Sequence, residues 1–463
     1  MKMLLTLNKP QLLHTMTATW NSPKLSATPQ FRMLLLQLMF ASCGISLAQA
    51  AVVNNAAEFS SSAGVSPTTS ALSAPIPKPA NLTSCPNLRI GIINGVPYHY
   101  EVVAGLMHTF RPYSKRTDMY LNRYMRSANG DGSWDILRRS RINFRLITRT
   151  LLTSISREKP FYDLLILVSP DYELDANEEL LRHIRRRVTV AIVHNSDFND
   201  TQRLIRVAES GGSSAQLVTL SPHTATSLAA ATGRAVEWVL PVYPFRPSTN
   251  CLQATEVDLL GMCLRGFAIQ GKFSNQRRNY SSLWKQMEAR REELTSGYAK
   301  ALFRINLLGK GQEDRLGLPQ ELEPLVNVHR RLRYLGFFEQ LHHSFAILPL
   351  LAGPRYLTHK FSSSVLSALI SGTPLIVDQA FLAAYGMVNE QCVYLQKDGE
   401  TEVDVMLRVM ATQATELLTV RQAMVEARKR SNERAVQYYA RILTELCSKS
   451  SNGDSGGGSG GEQ

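Results

Sequence analysis

The stretch GPRYLTHKFSSSVLSALISGTPLIVD, residues 353–378, decides how the rest of the chain is read. Ser362, Ser363 and Ser364 precede an apolar run, and serine is favoured at a helix N-cap. Gly372 follows Ser371 and suits the left-handed residue that commonly ends a helix. Pro374 then opens Leu375-Ile376-Val377, a run of strand character. The segment predicts a helix from Ser362 to Ser371 and a buried strand after it. A helix amino terminus presents unpaired N–H groups and the positive end of the dipole, which suits a diphosphate. Lys360 and His359 stand just before it and would add charge. A serine-capped core helix without a ligand is the plainer alternative, and this stretch alone leaves both open.

Strand-like runs alternate with helical ones on either side. Leu264–Gln270, Ala301–Leu308, Ser344–Pro349 and Pro374–Val377 are short apolar runs, with a basic helical stretch from Asn279 to Lys300 between the first two. Further upstream, Leu88–Ile93, Tyr162–Val168, Val188–Val193, Gln216–Leu220 and Val236–Leu240 repeat the pattern, and Val102, Val103, Leu106 and Met107 mark a helix after the first. Runs of this length suit parallel strands buried on both faces, and intervening helices make the class α/β. The pattern restarts midway, so we expect two Rossmann-like, doubly wound domains facing across a cleft, with ligands at the carboxyl ends of the strands. The expected boundaries are 85–258 for an acceptor domain, 259–400 for a nucleotide-sugar domain and 401–447 for a helical carboxyl-terminal segment.

This layout resembles the GT-B glycosyltransferases, two-domain enzymes that use an activated sugar, in a divergent family 1/4-like branch. The resemblance is most specific at Phe267-Ala268-Ile269-Gln270-Gly271-Lys272-Phe273 with Arg277-Arg278-Asn279-Tyr280, and at Gly372-Thr373-Pro374-Leu375-Ile376. It implies transfer of a sugar from a nucleotide-sugar co-substrate to a hydroxyl of a glycan, protein or lipid, with no further cofactor and no essential metal. It implies that Lys360, Ser362, Ser363 and Ser364 hold the diphosphate, assisted by His359. Gly271, Lys272 and Arg277 would approach from the facing loop. Asn94-Gly95-Val96-Pro97-Tyr98-His99 lies where the first acceptor-domain strand meets its helix, and His99 is the candidate base, since imidazole titrates near neutral pH. His194 and His223 are alternatives, and His342 and His343 suit structural or nucleotide-facing roles. One departure is plain. Many retaining members carry a Glu-x7-Glu pair here, whereas this chain has His359 and Ser367. A catalytically inactive GT-B-like binding or scaffold protein is therefore the alternative function.

The composition agrees with a globular body: of 463 residues, 44% are apolar and 19% charged. The net charge of +13 is spread along the chain. Its densest patches are Arg138, Arg139, Arg141, Arg145 and Arg149, and Arg182, Arg185, Arg186 and Arg187. No aromatic residues interleave them, so solvated helix faces are expected and no nucleic-acid partner. Residues 33–57 lack any charge and end near Ala48-Gln49-Ala50, a small-x-small cleavage pattern behind a basic leader. Residues 1–50 read as a signal peptide or a single-pass signal anchor, and 51–84 as a Ser/Pro-rich stem. Residues 448–463 read as a Gly/Ser tail. We expect a secretory-pathway protein of the Golgi or ER lumen, type II membrane-bound or secreted, with a plastid transit peptide as the alternative. Sequons at Asn81, Asn199 and Asn279 fit a lumenal glycoprotein. None of the six cysteines forms a CxxC pair, which argues against a zinc ribbon, while Cys251 and Cys263 are open to a disulfide or to two buried thiols.

Overall fold

The computed structural model describes residues 87–123, 132–138, 142–172 and 174–451, which belong to one compact unit. The leader, the stem, most of the Gly/Ser tail, Asn81, Arg139 and Arg141 lie outside the described residues.

The first lobe is a seven-stranded sheet built from β1 (Ile90–Asn94), β2 (Thr117–Asn122), β3 (Phe144–Ile147), β4 (Phe161–Leu167), β5 (Arg185–Val193), β6 (Ser214–Thr219) and β7 (Glu237–Trp238). All pair in parallel, in the order β3-β2-β1-β4-β5-β6-β7. The crossovers carry α1 (Tyr100–Thr109), α2 (Ser133–Leu137), α3 (Arg149–Glu158), α4 (Leu174–Leu181), α5 (Thr201–Glu209) and α6 (Pro222–Thr232). Alternate strand residues serve opposite faces, as the two-residue repeat requires. Ile90, Ile92, Leu164 and Ile166 join one apolar core, whereas Ile93, Leu165 and Leu167 join another. Strands sandwiched in this way must be apolar throughout, which is why β1, β4 and β5 are legible as continuous runs. The strand order reverses between β1 and β4, which opens a crevice at their carboxyl ends.

The second lobe repeats the plan. β8 (Phe267–Lys272), β9 (Ile305–Lys310) and β10 (Val326–Arg330) pair in parallel, with α7 (Tyr280–Ala289) after β8 and α8 (Tyr334–His342) after β10. Ile347 bridges Ala268 on one side and Leu375 on the other, so the expected strand at 344–349 is reduced to its centre. α9 (Ser363–Ser371) precedes β11 (Leu375–Val377), which pairs with β12 (Val393–Leu395). The expected strand at 301–308 begins only at Ile305, because Ala299–Leu302 closes a helical turn in which the Phe303 amide donates to the Ala299 carbonyl at 2.7 Å.

The carboxyl-terminal helices are shared between the lobes. α10 (Glu402–Met410) buries Val403, Val405, Met406 and Val409 in the second lobe's core. α11 (Ala414–Ser451) spans 38 residues, about 57 Å at the α-helical rise. Its Leu417 packs in the second core, while Tyr439, Ile442 and Leu443 pack with the first lobe. Asn432 brackets Val242, accepting from its amide at 2.7 Å and donating to its carbonyl at 3.0 Å. Arg434 donates to the Trp238 carbonyl at 2.9 Å and stacks over its ring.

One arginine of the basic runs departs from the expected solvated face. Arg186 is buried, and its guanidinium donates to the carbonyls of Leu181, Ile184 and Val207 and to Thr189 and Ser210. It fastens β5 to the ends of α4 and α5, and satisfying every donor is what makes its burial tolerable. Among the described residues no helix is long and apolar enough to cross a membrane.

Candidate active site

At the crevice of the first lobe, the carboxyl ends of β1, β4 and β5 bring Asn94, Ser169, Asp171 and His194 together with His99 at the N-cap of α1. His99 adopts a left-handed φ of 61°, and its carbonyl accepts from the amides of Val102 and Val103. Its Nδ1 lies 2.8 Å from Ser169 Oγ, which is 3.4 Å from Asn94 Oδ1. With the serine donating to Asn94, His99 donates from Nδ1 and keeps a lone pair on Nε2. The His194 ring stacks on it, 3.9 Å between centroids and 7° from parallel, and its own Nε2 donates to the Val168 carbonyl at 2.7 Å. Burial, the His194 ring and the Lys360 charge hold the His99 imidazole well below its ordinary value. Burial lowers His194 to about 4. Both rings are neutral at neutral pH, and both are weak proton acceptors.

Asp171 is different. It is 8% exposed, and neither carboxylate oxygen has a hydrogen-bond partner among the described residues. Burial pushes it up to about 7, against the pull of the nearby amides of Asp171, His194 and Asn195 and of the Lys360 charge. A carboxyl poised near neutrality can take or give a proton there, which the two neutral histidines do poorly.

Across the crevice, the second lobe offers the amino terminus of α9. The helix runs from Ser363 with Ser362 as N-cap, and Gly372 takes φ 68° beyond its end, a conformation glycine adopts without a Cβ penalty. The serines do not cap it. Ser362 Oγ is buried without a partner, and the Ser362 amide donates to the Tyr385 hydroxyl at 2.9 Å. Ser364 Oγ accepts from Arg278 at 3.3 Å, and Ser363 Oγ lies 3.4 Å from Gln270 Nε2. Among the described residues the amides of Ser363 and Ser364 have no acceptor, and Ser363 is exposed at the mouth. Lys360 is half-buried, with Nζ 5.9 Å from the Tyr356 ring centroid. Burial, then the charges of Arg277 and Arg355, lower its pKa, so three cations share this region. Arg355 is paired with Asp197 at 2.8 Å.

The loop before α9 is stitched to the first lobe. Asn195 and Lys360 form an antiparallel bridge, the Ser196 amide donates to the His359 carbonyl at 2.8 Å, and the Phe361 amide points at the His194 carbonyl from 3.4 Å. Of the expected site residues, Gly271 (φ 124°), Ser362, Ser363, Ser364, Lys360 and Arg277 lie around the α9 terminus or the charge cluster beside it, and His99 lies opposite. Two are elsewhere. The His359 ring is held on Ser227 of α6 at 2.8 Å, facing away from the α9 amides. Lys272 is exposed at the end of β8, in register with Lys310. His223 faces two carbonyls, Ala384 from Nδ1 at 2.9 Å and Lys360 from Nε2 at 3.3 Å; a neutral ring donates to one of them, and the backbone occupies both nitrogens' surroundings. His342 accepts from the Cys251 amide at 3.1 Å and donates to the Ser371 carbonyl at 2.8 Å, a structural role. Asp171 carries no signal in the sequence, where it looks like a turn residue in Ser169-Pro170-Asp171, and Arg278, quoted within the 277–280 motif but given no role, joins the Gln270 carbonyl to α9 through its buried guanidinium.

The ligating atoms of Cys251, Cys263 and His343 lie within 4.8 Å of one another. The two sulfurs are joined in a disulfide, and His343 Nδ1 donates to the Cys263 carbonyl at 2.9 Å, so this group is a covalent staple of the second lobe. A cavity of about 330 Å³ beside Met107, Arg111 and Tyr243 shares no residue with the crevice.

No protein-family model and no curated protein sequence matches the chain. The structure of Anabaena Alr3699/HepE in complex with UDP-glucose is similar in fold, with a TM-score of 0.52 at 15% identity over 79% of this chain and 100% of that one. The fold is GT-B. HepE with UDP and glucose gives 0.49 at 17% identity over 79% and 99% of the two chains. AviGT4, a glycosyltransferase involved in avilamycin A biosynthesis, gives 0.42 at 15% over 78% and 98%. In this GT-B chain the neutral histidine pair and Asp171 sit on one wall of the interlobe cleft, and the α9 terminus, exposed at Ser363, with Lys360 and Arg277 on the other.

Proposed function

We propose that the chain is a glycosyltransferase that moves a sugar from a nucleotide-sugar donor to a hydroxyl acceptor. The observation that carries this reading is the pairing, across one cleft, of an uncapped helix terminus beside cations with a buried, unpartnered carboxyl. The diphosphate would lie at the exposed Ser363 amide, with Lys360 and Arg277 neutralising the charge that develops as the sugar–oxygen bond breaks. Asp171 would take the acceptor's hydroxyl proton as the new glycosidic bond forms, while the electron pair of the old bond leaves on the diphosphate. His99 would orient the acceptor from Nε2. We expect the cationic side chains and the helix terminus to serve where other enzymes use a divalent cation, so a chelator should leave turnover intact.

The Cys251–Cys263 disulfide supports an oxidising compartment, consistent with the lumenal, glycosylated protein the leader suggests, held by an anchor or released. The second reading, an inactive binding protein, is favoured by one observation: His359 is turned onto Ser227, and Ser367 is buried, so neither place of the glutamate pair offers a carboxylate.

Thermal shift against UDP, UDP-glucose and other nucleoside diphosphates tests the reading, with UDP-glucose first because the HepE structure of similar fold was solved in complex with it. A ligand at about 100 times its dissociation constant stabilises by about 2.7 kcal/mol. No shift with any nucleotide refutes the proposal, and binding without turnover on any hydroxyl acceptor favours the inactive reading.

A further inference from the structure

Resting on the transferase reading, a second feature of the cleft speaks to the acceptor. Tyr98 and Tyr172 are 40% and 38% exposed, and they belong to a small set of large apolar side chains left in solvent. They meet edge to face, 5.5 Å between centroids at 85°, and both pack on His99, at 4.7 Å and 5.3 Å. The result is a rigid aromatic shelf beside the candidate base. Burial and the Asp171 charge are the leading causes that push the Tyr172 phenol up, so it stays a neutral ring.

Asp171 directly precedes Tyr172, and three oxygens, Asp171 Oδ1, Asp171 Oδ2 and Asn195 Oδ1, are buried with no donor in hydrogen-bond geometry among the described residues, although the amides of Asp171, His194 and Asn195 lie close enough to pull on the carboxyl. Asp171 and Asn195 are neighbours, since the Asn195 amide acts on the carboxylate. Unsatisfied buried acceptors are costly, and a ligand that brings several hydroxyl donors relieves them. A lipid chain brings none of these, and a phenol or a serine side chain brings one. A pyranose brings several on adjacent carbons, together with a face of C–H groups that packs on an aromatic ring.

We propose that the acceptor is a carbohydrate, seated with one ring face on one of Tyr98 and Tyr172 and against the edge of the other, its hydroxyls donated to Asp171 and Asn195. The sugar of the donor has the same chemistry. The shelf belongs to the first lobe, across the cleft from the α9 terminus, which assigns it to the acceptor.

Saturation-transfer NMR on the full chain tests this, using methyl glycosides of gluco, galacto and manno configuration, and sorbitol as an acyclic polyol, each with and without UDP. At least one pyranoside should be saturated with UDP bound, most strongly at the C–H protons of one ring face, and sorbitol should not. Tyr98→Ala with Tyr172→Ala should weaken that affinity by roughly tenfold or more, and the paired Phe substitutions should retain it. Circular dichroism and an unchanged UDP shift show that the alanine variant is folded. The proposal is overturned if no pyranoside exceeds sorbitol, if the double alanine variant binds like the wild type, or if UDP-glucose, but not UDP, displaces the pyranoside. Pyranoside binding with no nucleotide binding upholds the shelf and refutes the transferase reading. Nucleotide binding with no pyranoside binding does the reverse.

Discussion

Replacing Asp171 with Asn should make the protein more stable and less active, and the gain should depend on pH. Burial moves this carboxyl from an ordinary 3.8 up to about 7. Between those values the unfolded chain has released the proton and the folded chain still holds it. The unfolded state therefore binds fewer protons, and stability falls as pH rises through this interval, then levels off above it. Each pH unit is worth about 1.4 kcal/mol, so the ionisable carboxyl costs about 4 kcal/mol by the upper end. Asn cannot ionise. Burying its amide has a cost of its own, but that cost is the same at every pH. The stability difference between Asp171→Asn and the wild type should therefore widen by between about 2 and 3 kcal/mol from about pH 5 to about pH 8. Denaturant titrations of both proteins at the two pH values measure it, and taking the difference cancels the other titrating groups. A constant difference, or one that narrows, would mean that the carboxyl is solvated or partnered and is not the poised group described above. Loss of turnover in the same variant, despite higher stability, is the signature of a residue kept for chemistry.

Substituting Lys360, Ser363 and Ser364 together with Ala should weaken UDP binding by about tenfold to a hundredfold with little change in unfolding temperature, read by calorimetry; unchanged affinity would show that neither the ammonium nor the serine hydroxyls hold the phosphate. His99→Asn, chosen because Asn tolerates the left-handed φ of 61°, should lower turnover while leaving the UDP dissociation constant within about twofold. An equal fall in both would place the ring on the donor side. Opening the Cys251–Cys263 bridge, whose cysteines are 12 positions apart, should cost about 3 kcal/mol, measured by unfolding Cys251→Ser beside the wild type.

Much of this architecture was legible because both sheets bury their central strands on two faces. The runs that became β1, β4, β5, β8 and β11 are apolar for that reason, and α9 with Gly372 falls where the serines and glycine indicate. The strands that escaped notice carry mixed residues. β2 contains Thr117, Asp118 and Asn122, and its Tyr120 meets the Tyr162 hydroxyl at 2.7 Å, so its polarity is satisfied inside the fold and its pattern does not read as a core strand. β3 and β10 are edge strands with exposed arginines, and β12 is three residues long. At the site, residue types near a motif could be named, but not their orientation. His359 sits beside Lys360 in sequence yet points to the other lobe, and Asp171 acquires its character from burial that no local pattern encodes.

The backbone stitch between Ser196 and His359 ties the loop that bears Lys360 to the wall opposite its own sheet. Parting the two halves must undo that seam and carry the ammonium away with it. On the transferase reading proposed above, grip on a phosphate and the shutting of the jaw would be one event, and product escape is then the step expected to set the tempo.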